Sequence, residues 1–306
     1  MRKVYGFGET VLDIIFKDGV PVAARPGGSI LNTFVSLGRL GWNPCFISEY
    51  GRDNIGELIE KHLKENGVFT GYVNRFRDGQ SALALAFLDK SNDATYCFYK
   101  NFPEKRLQKL PGDIQQDDII AFGSIYASSA AVRASVLRFL ELGRKKGGLI
   151  LYDPNFRSAH LAELDEIRPR IVENFCYADI IRGSDDDFRL IFGIRDPDEI
   201  PGHIDIKSRI LIYTRNRENV TVLAGDQKLE VPVQHITPLS TIGAGDNFNA
   251  GIIHYLLSKG VLRENLPELV KNDLKEMVSV GIRFATHVCL SYDNYISREF
   301  AGKILF

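Results

Sequence analysis

The stretch Ser240-Thr241-Ile242-Gly243-Ala244-Gly245-Asp246-Asn247-Phe248-Asn249-Ala250-Gly251 sets glycines and a carboxylate immediately ahead of a helical pattern. Phe248, Ile252 and Leu256, with Ile253 and Leu257 beside them, recur at helical spacing, so a helix burying one stripe is expected to begin near Asp246. Gly243 and Gly245 remove the side chains that would keep an anion from the backbone, and a helix start leaves N–H groups without partners. Together these features make an anion hole, and phosphate is its natural guest. A carboxylate at the lip can accept a proton from a hydroxyl while the N–H groups hold charge developing on a phosphoryl group in transfer. The same residues also read as a plain helix start, because Asp is a favoured N-cap and Gly-Ala-Gly an easy turn.

A second polar helix start lies at Arg25-Pro26-Gly27-Gly28-Ser29-Ile30-Leu31-Asn32, where a double glycine opens a helix that carries Leu31, Phe34 and Val35 inward and closes at Gly41. Asn32 stands one turn in, able to reach past the glycines or to remain solvated. The apolar run Leu149 to Tyr152 ends in Asp153-Pro154-Asn155-Phe156-Arg157, polar residues at the carboxyl end of a strand, where open α/β sheets bind ligands. Ala178 to Arg182 reads as another strand and runs into Gly183-Ser184-Asp185-Asp186-Asp187 and a helix. Three acids at a helix start complement its dipole and also offer a place for hydrated magnesium. Two glycine patterns are decoys. Gly6-Phe7-Gly8 lacks the third glycine of a dinucleotide fingerprint, and Gly51-Arg52-Asp53-Asn54-Ile55-Gly56 is followed by Glu57-Leu58 where a phosphate-binding loop needs Lys and Ser or Thr.

The elements that must position these residues alternate. Strands are expected over Lys3 to Gly8, Thr10 to Phe16, Asp118 to Gly123, Leu149 to Asp153, Ala178 to Arg182 and Arg209 to Thr214. Helices are expected from Ile55 to Gly67, from Ser129 to Lys145 and from Leu266 to Val288. Such alternation implies a mostly parallel sheet with helices on both faces. Two hairpins interrupt it: Ser81 to Leu88 returning through a Ser91-Asn92-Asp93 turn as Ala94 to Lys100, and Val220 to Leu223 with Lys228 to Val233. The first suggests a lid over the sheet. With 306 residues, 44% of them hydrophobic, the chain can bury a large core, and no repeat or linker divides it. A net charge of −1 without a basic block argues against nucleic acid. Cys45, Cys97, Cys176 and Cys289 lack metal-type spacing, which fits reduced thiols, and Glu9 and Asp13 interrupt the only early apolar stretch. A cytoplasmic protein with no membrane segment is expected.

Taken in order, these marks resemble a sugar kinase of the ribokinase (PfkB-type) family over nearly the whole chain: Gly8-Glu9 with Asp13, Gly27-Gly28 with Asn32, Gly51 to Gly56, Gly67-Val68, Asp153 to Arg157, and Gly243-Ala244-Gly245-Asp246. Tyr152 to Arg157 and Ala178 to Asp185 are most similar to fructokinases. The resemblance implies a three-layer α/β/α fold in one domain over 1–306, with a small β lid from strands near 10–26 and 72–101 that closes on the sugar. It implies that Asp246 is the base, that the N–H groups of Gly243, Ala244 and Gly245 form the phosphoryl hole, and that Asp13, Gly28, Asn32, Asn155 and Arg157 serve the substrate. ATP and magnesium follow as cofactors, fructose or a similar ketose as substrate, and a homodimer through the lid strands as an assembly. A nucleoside or other sugar kinase, and a weakly catalytic sugar sensor, remain alternatives. Three departures qualify it. Ser184-Asp185-Asp186-Asp187 stands where the family has Asn-x-x-Glu, leaving Asp187 as the candidate metal ligand. Thr214-Arg215-Asn216-Arg217-Glu218-Asn219 replaces a Thr-x-Gly-x-x-Gly turn beside the nucleotide; Asn216 and Asn219 tolerate left-handed backbone better than most residues, so the turn can survive while ATP approaches it less closely. Ser240 stands where an Asp holds a monovalent cation, so strong binding of that ion is not expected.

Overall fold

The computed structural model describes residues 2–89 and 94–304, so the turn expected at Ser91-Asn92-Asp93 lies outside the described residues. The chain opens with β1 (Val4–Phe7), leaves the sheet for β2 (Val11–Lys17) and β3 (Val20–Gly27), and returns through α1 (Ser29–Arg39), β4 (Cys45–Gly51), α2 (Asn54–Glu65) and β5 (Phe69–Phe76). A second excursion, β6 (Gln80–Leu88) and β7 (Ala94–Asn101), precedes β8 (Ile119–Gly123), α3 (Ser124–Ser128), α4 (Arg133–Lys145), β9 (Leu149–Asp153), α5 (Leu164–Tyr177), β10 (Ile180–Ser184), α6 (Asp185–Phe192) and β11 (Ile210–Thr214). Then come β12 (Asn219–Ala224), β13 (Gln227–Pro232), α7 (Ala244–Ser258), α8 (Lys271–Cys289) and α9 (Arg298–Ile304).

The large sheet has nine strands in the order β13-β12-β11-β10-β9-β8-β1-β4-β5, parallel from β11 through β5, with β12 and β13 antiparallel at one edge. Its central strands are apolar throughout because both faces are covered, and alternate residues feed two cores. Ile119 and Ala121 join the core beneath α1, α7 and α8, whereas Ile120 and Phe122 join the one beneath α3 to α6. The smaller sheet runs β3-β2-β6-β7 and is the lid. One boundary moves. Of the lid range 72–101, residues up to Phe76 belong to β5, which pairs parallel with β4 in the large sheet, so the second lid segment starts at Gln80.

The rejected loop at Gly51 to Gly56 ties the large sheet to the base of the smaller one. Asp53 caps α2 by accepting from Gly56 N at 2.7 Å, and its other oxygen takes Ser81 N at 2.8 Å at the root of the lid. At the lid's other root, buried Glu49 is ion-paired with Arg106 and accepts from Tyr126 Oη at 2.7 Å.

The stripe expected on α7 understates its burial: every residue from Asp246 to Leu256 is buried, because the helix lies between the sheet, α1 and α8. Close approach to α8 needs glycine on both helices, since a Cβ on Gly251 would stand 2.7 Å from Gly281 Cα. The last long helix begins at Lys271 rather than near Leu266, because Pro267 lies in a short 3-10 turn ahead of it.

Candidate active site

The candidate residues of α1 and α7 meet at the carboxyl ends of the parallel strands, with Asp13 facing them from the smaller sheet and the Thr214 turn lying to one side. Asp246 is the third residue of α7, and its carboxylate turns away from its own helix. Ser29 Oγ donates to Oδ1 at 2.7 Å and Asn32 Nδ2 to Oδ2 at 2.8 Å, while Thr33 Oγ1 donates to the Asp246 carbonyl at 2.8 Å. The N-cap is Gly243, left-handed with φ 79° and with a carbonyl, Asn294 O, 2.6 Å from where a Cβ would stand. Asp246 therefore does not cap the helix, and Asn32 is not solvated. Burial pushes the Asp246 carboxyl up to about 6, and the Asn32 and Ser29 hydrogen bonds and the Arg157 charge oppose it.

The hole ahead of Asp246 differs in one member from the expected set. Ala244 N donates to Thr241 O at 3.2 Å, closing the turn, whereas among the described residues Gly243 N, Gly245 N and Asp246 N have no acceptor. Those three N–H groups are open to an anion.

Asp13 faces the same space from β2. Its carboxylate fits only because Gly27 opposite has no side chain, a Cβ there being 1.9 Å from Oδ2. The residue keeps some exposed surface, yet the tucked carboxyl is pushed up to about 7 by burial and then by the charges of Asp246 and Glu9, with Arg157 opposing. Two carboxylates and the exposed Arg157 thus share one field. Gly28, at φ 131°, brings its backbone against Glu9 O, and Asn32 Oδ1 is buried without a partner, an acceptor left open toward a ligand hydroxyl. Tyr96 on the lid, which sequence reasoning missed, is pushed up to about 12 by burial and next by the Asp13 charge, so it belongs to the same site. Beside Glu9 a cavity of about 480 Å³ runs between the lid and α3 to α5, bordered by Val11, Ala82, Phe102, Tyr126 and His160, with Phe98 stacked on His160 at 5.9 Å.

On the other side, Asn155 adopts left-handed backbone at φ 39° and donates its N–H to Asp153 Oδ1 at 3.0 Å. Asp187 accepts from Ser184 N at 2.7 Å, Ser184 Oγ at 2.6 Å and Phe156 N at 2.6 Å, forming a capping box for α6 and clamping the Asp153–Arg157 loop. This geometry does not support Asp187 as a metal ligand, because three donors already occupy its oxygens. No group of three His, Cys, Asp or Glu residues that could hold a metal occurs among the described residues. Asn216 is left-handed at φ 33° and exposed, whereas Asn219 is not left-handed: it opens strand β12 and donates to Glu230 Oε2 at 2.7 Å. Ser240 Oγ accepts from Ile242 N at 3.2 Å.

Between the two sides lies Arg182, also missed. Its Nη1 donates to buried Asp153 Oδ2 at 3.0 Å and its Nη2 to Thr214 Oγ1 at 2.7 Å, and Asn249 Nδ2 of α7 reaches the same Asp153 oxygen at 2.7 Å. A Cβ on Gly245 would lie 2.7 Å from Nη1, so this glycine makes room for a guanidinium as well as for an anion. The available signal was a charge inside the apolar strand Ile180-Ile181-Arg182, together with Asn247 and Asn249 in an otherwise apolar helix.

Among known proteins, fructokinase-1 of Oryza sativa subsp. japonica is 27% identical over 83% of this chain and 83% of its own. The crystal structure of fructokinase from Vibrio cholerae O395 in its fructose, ADP and calcium bound form superposes with a TM-score of 0.87 at 19% identity, covering 100% of this chain and 99% of that one. Aminoimidazole riboside kinase from Salmonella enterica, complexed with aminoimidazole riboside and an ATP analogue, gives 0.82 at 21% identity over 98% and 99%. The fold is ribokinase-like, and with residues 1–299 matching the pfkB family carbohydrate kinases, the chain belongs to that family.

Proposed function

We propose that this carbohydrate kinase transfers the terminal phosphoryl group of ATP to a hydroxyl of fructose or a similar ketose, with Asp246 as general base. The observation that carries the reading is a buried carboxyl pushed up to about 6, held by one donor on each oxygen, directly beside three unpaired N–H groups. The sugar hydroxyl gives its proton to Asp246 while its oxygen forms a new bond to phosphorus, and the bond from phosphorus to the ADP oxygen breaks. The N–H groups of Gly243 and Gly245, with Asp246 N, hold the charge on the moving phosphoryl group, Ala244 shaping the turn that presents them. Asp13, the Gly28 backbone and the open Asn32 Oδ1 receive sugar hydroxyls, and Asn155 and Arg157 border the reacting oxygen. Ser184, Thr214, Asn216 and Asn219 flank the nucleotide. Magnesium would arrive on the ATP phosphates, since among the described residues no three acids gather into a cage for it. A homodimer through the lid belongs to the same reading, supported by the exposed Val20 and Val22 of edge strand β3.

A coupled ADP-release screen over hexoses, pentoses and nucleosides tests this. Fructose or another ketose is expected to have the highest kcat/KM. Preference for a nucleoside would favour the alternative supported by the aromatic-walled cavity beside Glu9. Sugar binding by calorimetry without ADP release from any compound would overturn the kinase reading in favour of a sensor.

A further inference from the structure

Arg182 is a buried charge bonded on two sides, to Asp153 and to Thr214, and the reaction scheme above gives it no task. Its side chain is 10% exposed, and it joins the ends of three neighbouring strands: Asp153 closes β9, Arg182 itself lies in β10, and Thr214 closes β11. Above it, Gly245 rests on the guanidinium, with the place of a Cβ 2.7 Å from Nη1 and 3.2 Å from Cζ. Asn249, one turn along α7 from Gly245, holds the Asp153 oxygen that Arg182 also holds. Nε has no partner among the described residues, so one donor of this charge is uncommitted.

An ion pair with Asp153 alone would satisfy the burial of a charge. The bond to Thr214 and the contact with Gly245 add something else: a rigid fork whose one arm ends at the nucleotide-side turn and whose face supports the second residue of the phosphoryl hole. Motion of the turn and motion of the hole are then coupled through a single planar group. Its fixed positive charge also lies under the helix start where phosphoryl charge must accumulate.

We propose that Arg182 is a positioning residue for phosphoryl transfer, aligning the Thr214 turn with the Gly245 backbone so that nucleotide and anion hole keep one register. The proposal rests on the kinase reading above. In Arg182→Met, kcat is expected to fall by about 30-fold or more and the KM for ATP to rise about fivefold, while the sugar Kd by calorimetry stays within about twofold. Arg182→Lys, which keeps the charge and loses the fork, should recover part of kcat. Unchanged kcat and ATP KM in Arg182→Met, or loss of sugar and ATP binding in equal measure, would overturn the proposal and leave the residue structural. Where Arg182→Met does not fold, Thr214→Val removes only the hydroxyl acceptor. It should raise the ATP KM about threefold with sugar Kd unchanged, and no change in ATP KM overturns the coupling. If the wild-type protein turns over no sugar, the kinase reading falls separately, and calorimetry with ADP decides this one: about fivefold weaker ADP binding in Arg182→Met sustains it, and equal binding overturns it.

Discussion

The half of the site around Asp246 and the half around Thr214 lie at the ends of the same sheet, yet they treat their polar groups in opposite ways. Around Asp246 the groups are buried and left partly unpaired: two carboxyls raised by burial, an Asn32 oxygen without a donor, three N–H groups without acceptors. Around Thr214 most side-chain groups are paired within the chain, with Asp187 capping α6, Thr214 receiving Arg182 and Asn219 tied to Glu230, while Arg182 Nε and Asn219 Oδ1 have no partner among the described residues. Unpaired buried groups cost stability and are ready to act, whereas paired ones hold the shape of the chain around them. Substitutions at the open groups of the sugar half should therefore have the largest effects, and in the other half Arg182, which bridges the two, should respond more than its neighbours.

The largest effect is expected at the base. Asp246→Asn should lower kcat by about 10²–10⁴-fold while calorimetry still detects sugar binding, and a near-normal kcat would erase the contrast between the halves. Next comes Asp13→Ala. Leaving two hydroxyls unpaired in the closed site costs about 1–3 kcal/mol, so the sugar KM should rise by about 5- to 150-fold with the ATP KM within about twofold. Equal changes in both constants would make Asp13 structural.

Titration sharpens the comparison further. On the proposed reading Asp246 must be ionised to accept a proton, so kcat/KM for the sugar should fall on the acid side with a midpoint near the value of about 6 held by its carboxyl. Stability has the reverse dependence. The folded value lies above the ordinary 3.8, so the term is fully present below 3.8 and is lost as pH rises through about 6. Replacing the buried charge by a neutral amide in Asp246→Asn should then raise the unfolding free energy near pH 8 by about 1–3 kcal/mol, measured by urea denaturation. A less stable variant would mean that the Ser29 and Asn32 bonds outweigh the cost of burial. The smallest effect is expected from monovalent ions: with a neutral Ser240 hydroxyl engaged by Ile242 N, turnover at fixed ionic strength should differ by less than about twofold between potassium and a bulky organic cation. Several-fold activation by potassium would show that backbone carbonyls suffice to hold the ion.

Most strands and the two polar helix starts were legible because buried parallel strands are apolar runs and helix starts carry glycine and small polar residues, but β4, whose Ser48 and Glu49 interrupt its apolar run, was not expected as a strand. What was not legible was why a given residue was there. Gly245 reads the same whether it admits an anion or yields space to Arg182, and only the packed chain separates the two. Three acids after Ser184 look alike in sequence, yet Asp187 alone stands at the capping-box position, which turns it inward and engages both its oxygens. Ser29 carried no signal, since serine is common in any first helical turn. β5 was absorbed into the lid because edge strands and lid strands share one alternating pattern. Arg182 was the exception, a charge in an apolar strand that asked for a buried partner and was left as a strand end.

The meeting of α1 with α7 also orders events in time. Ser29 and Asp246 bond across 217 positions of chain, and Asn247 then bonds onward to Asn294, a further 47 positions along. A nascent chain can lay down the strands through β11 before either contact is possible, because contacts this distant in sequence must wait for the polymer to be made and looped back. On the proposed reading, phosphotransfer therefore requires a chain made at least through α7 and Asn294. Premature termination anywhere before α7 yields a polypeptide that has bought much of its sheet but cannot consume ATP, and in refolding the return of turnover should trail the return of secondary structure.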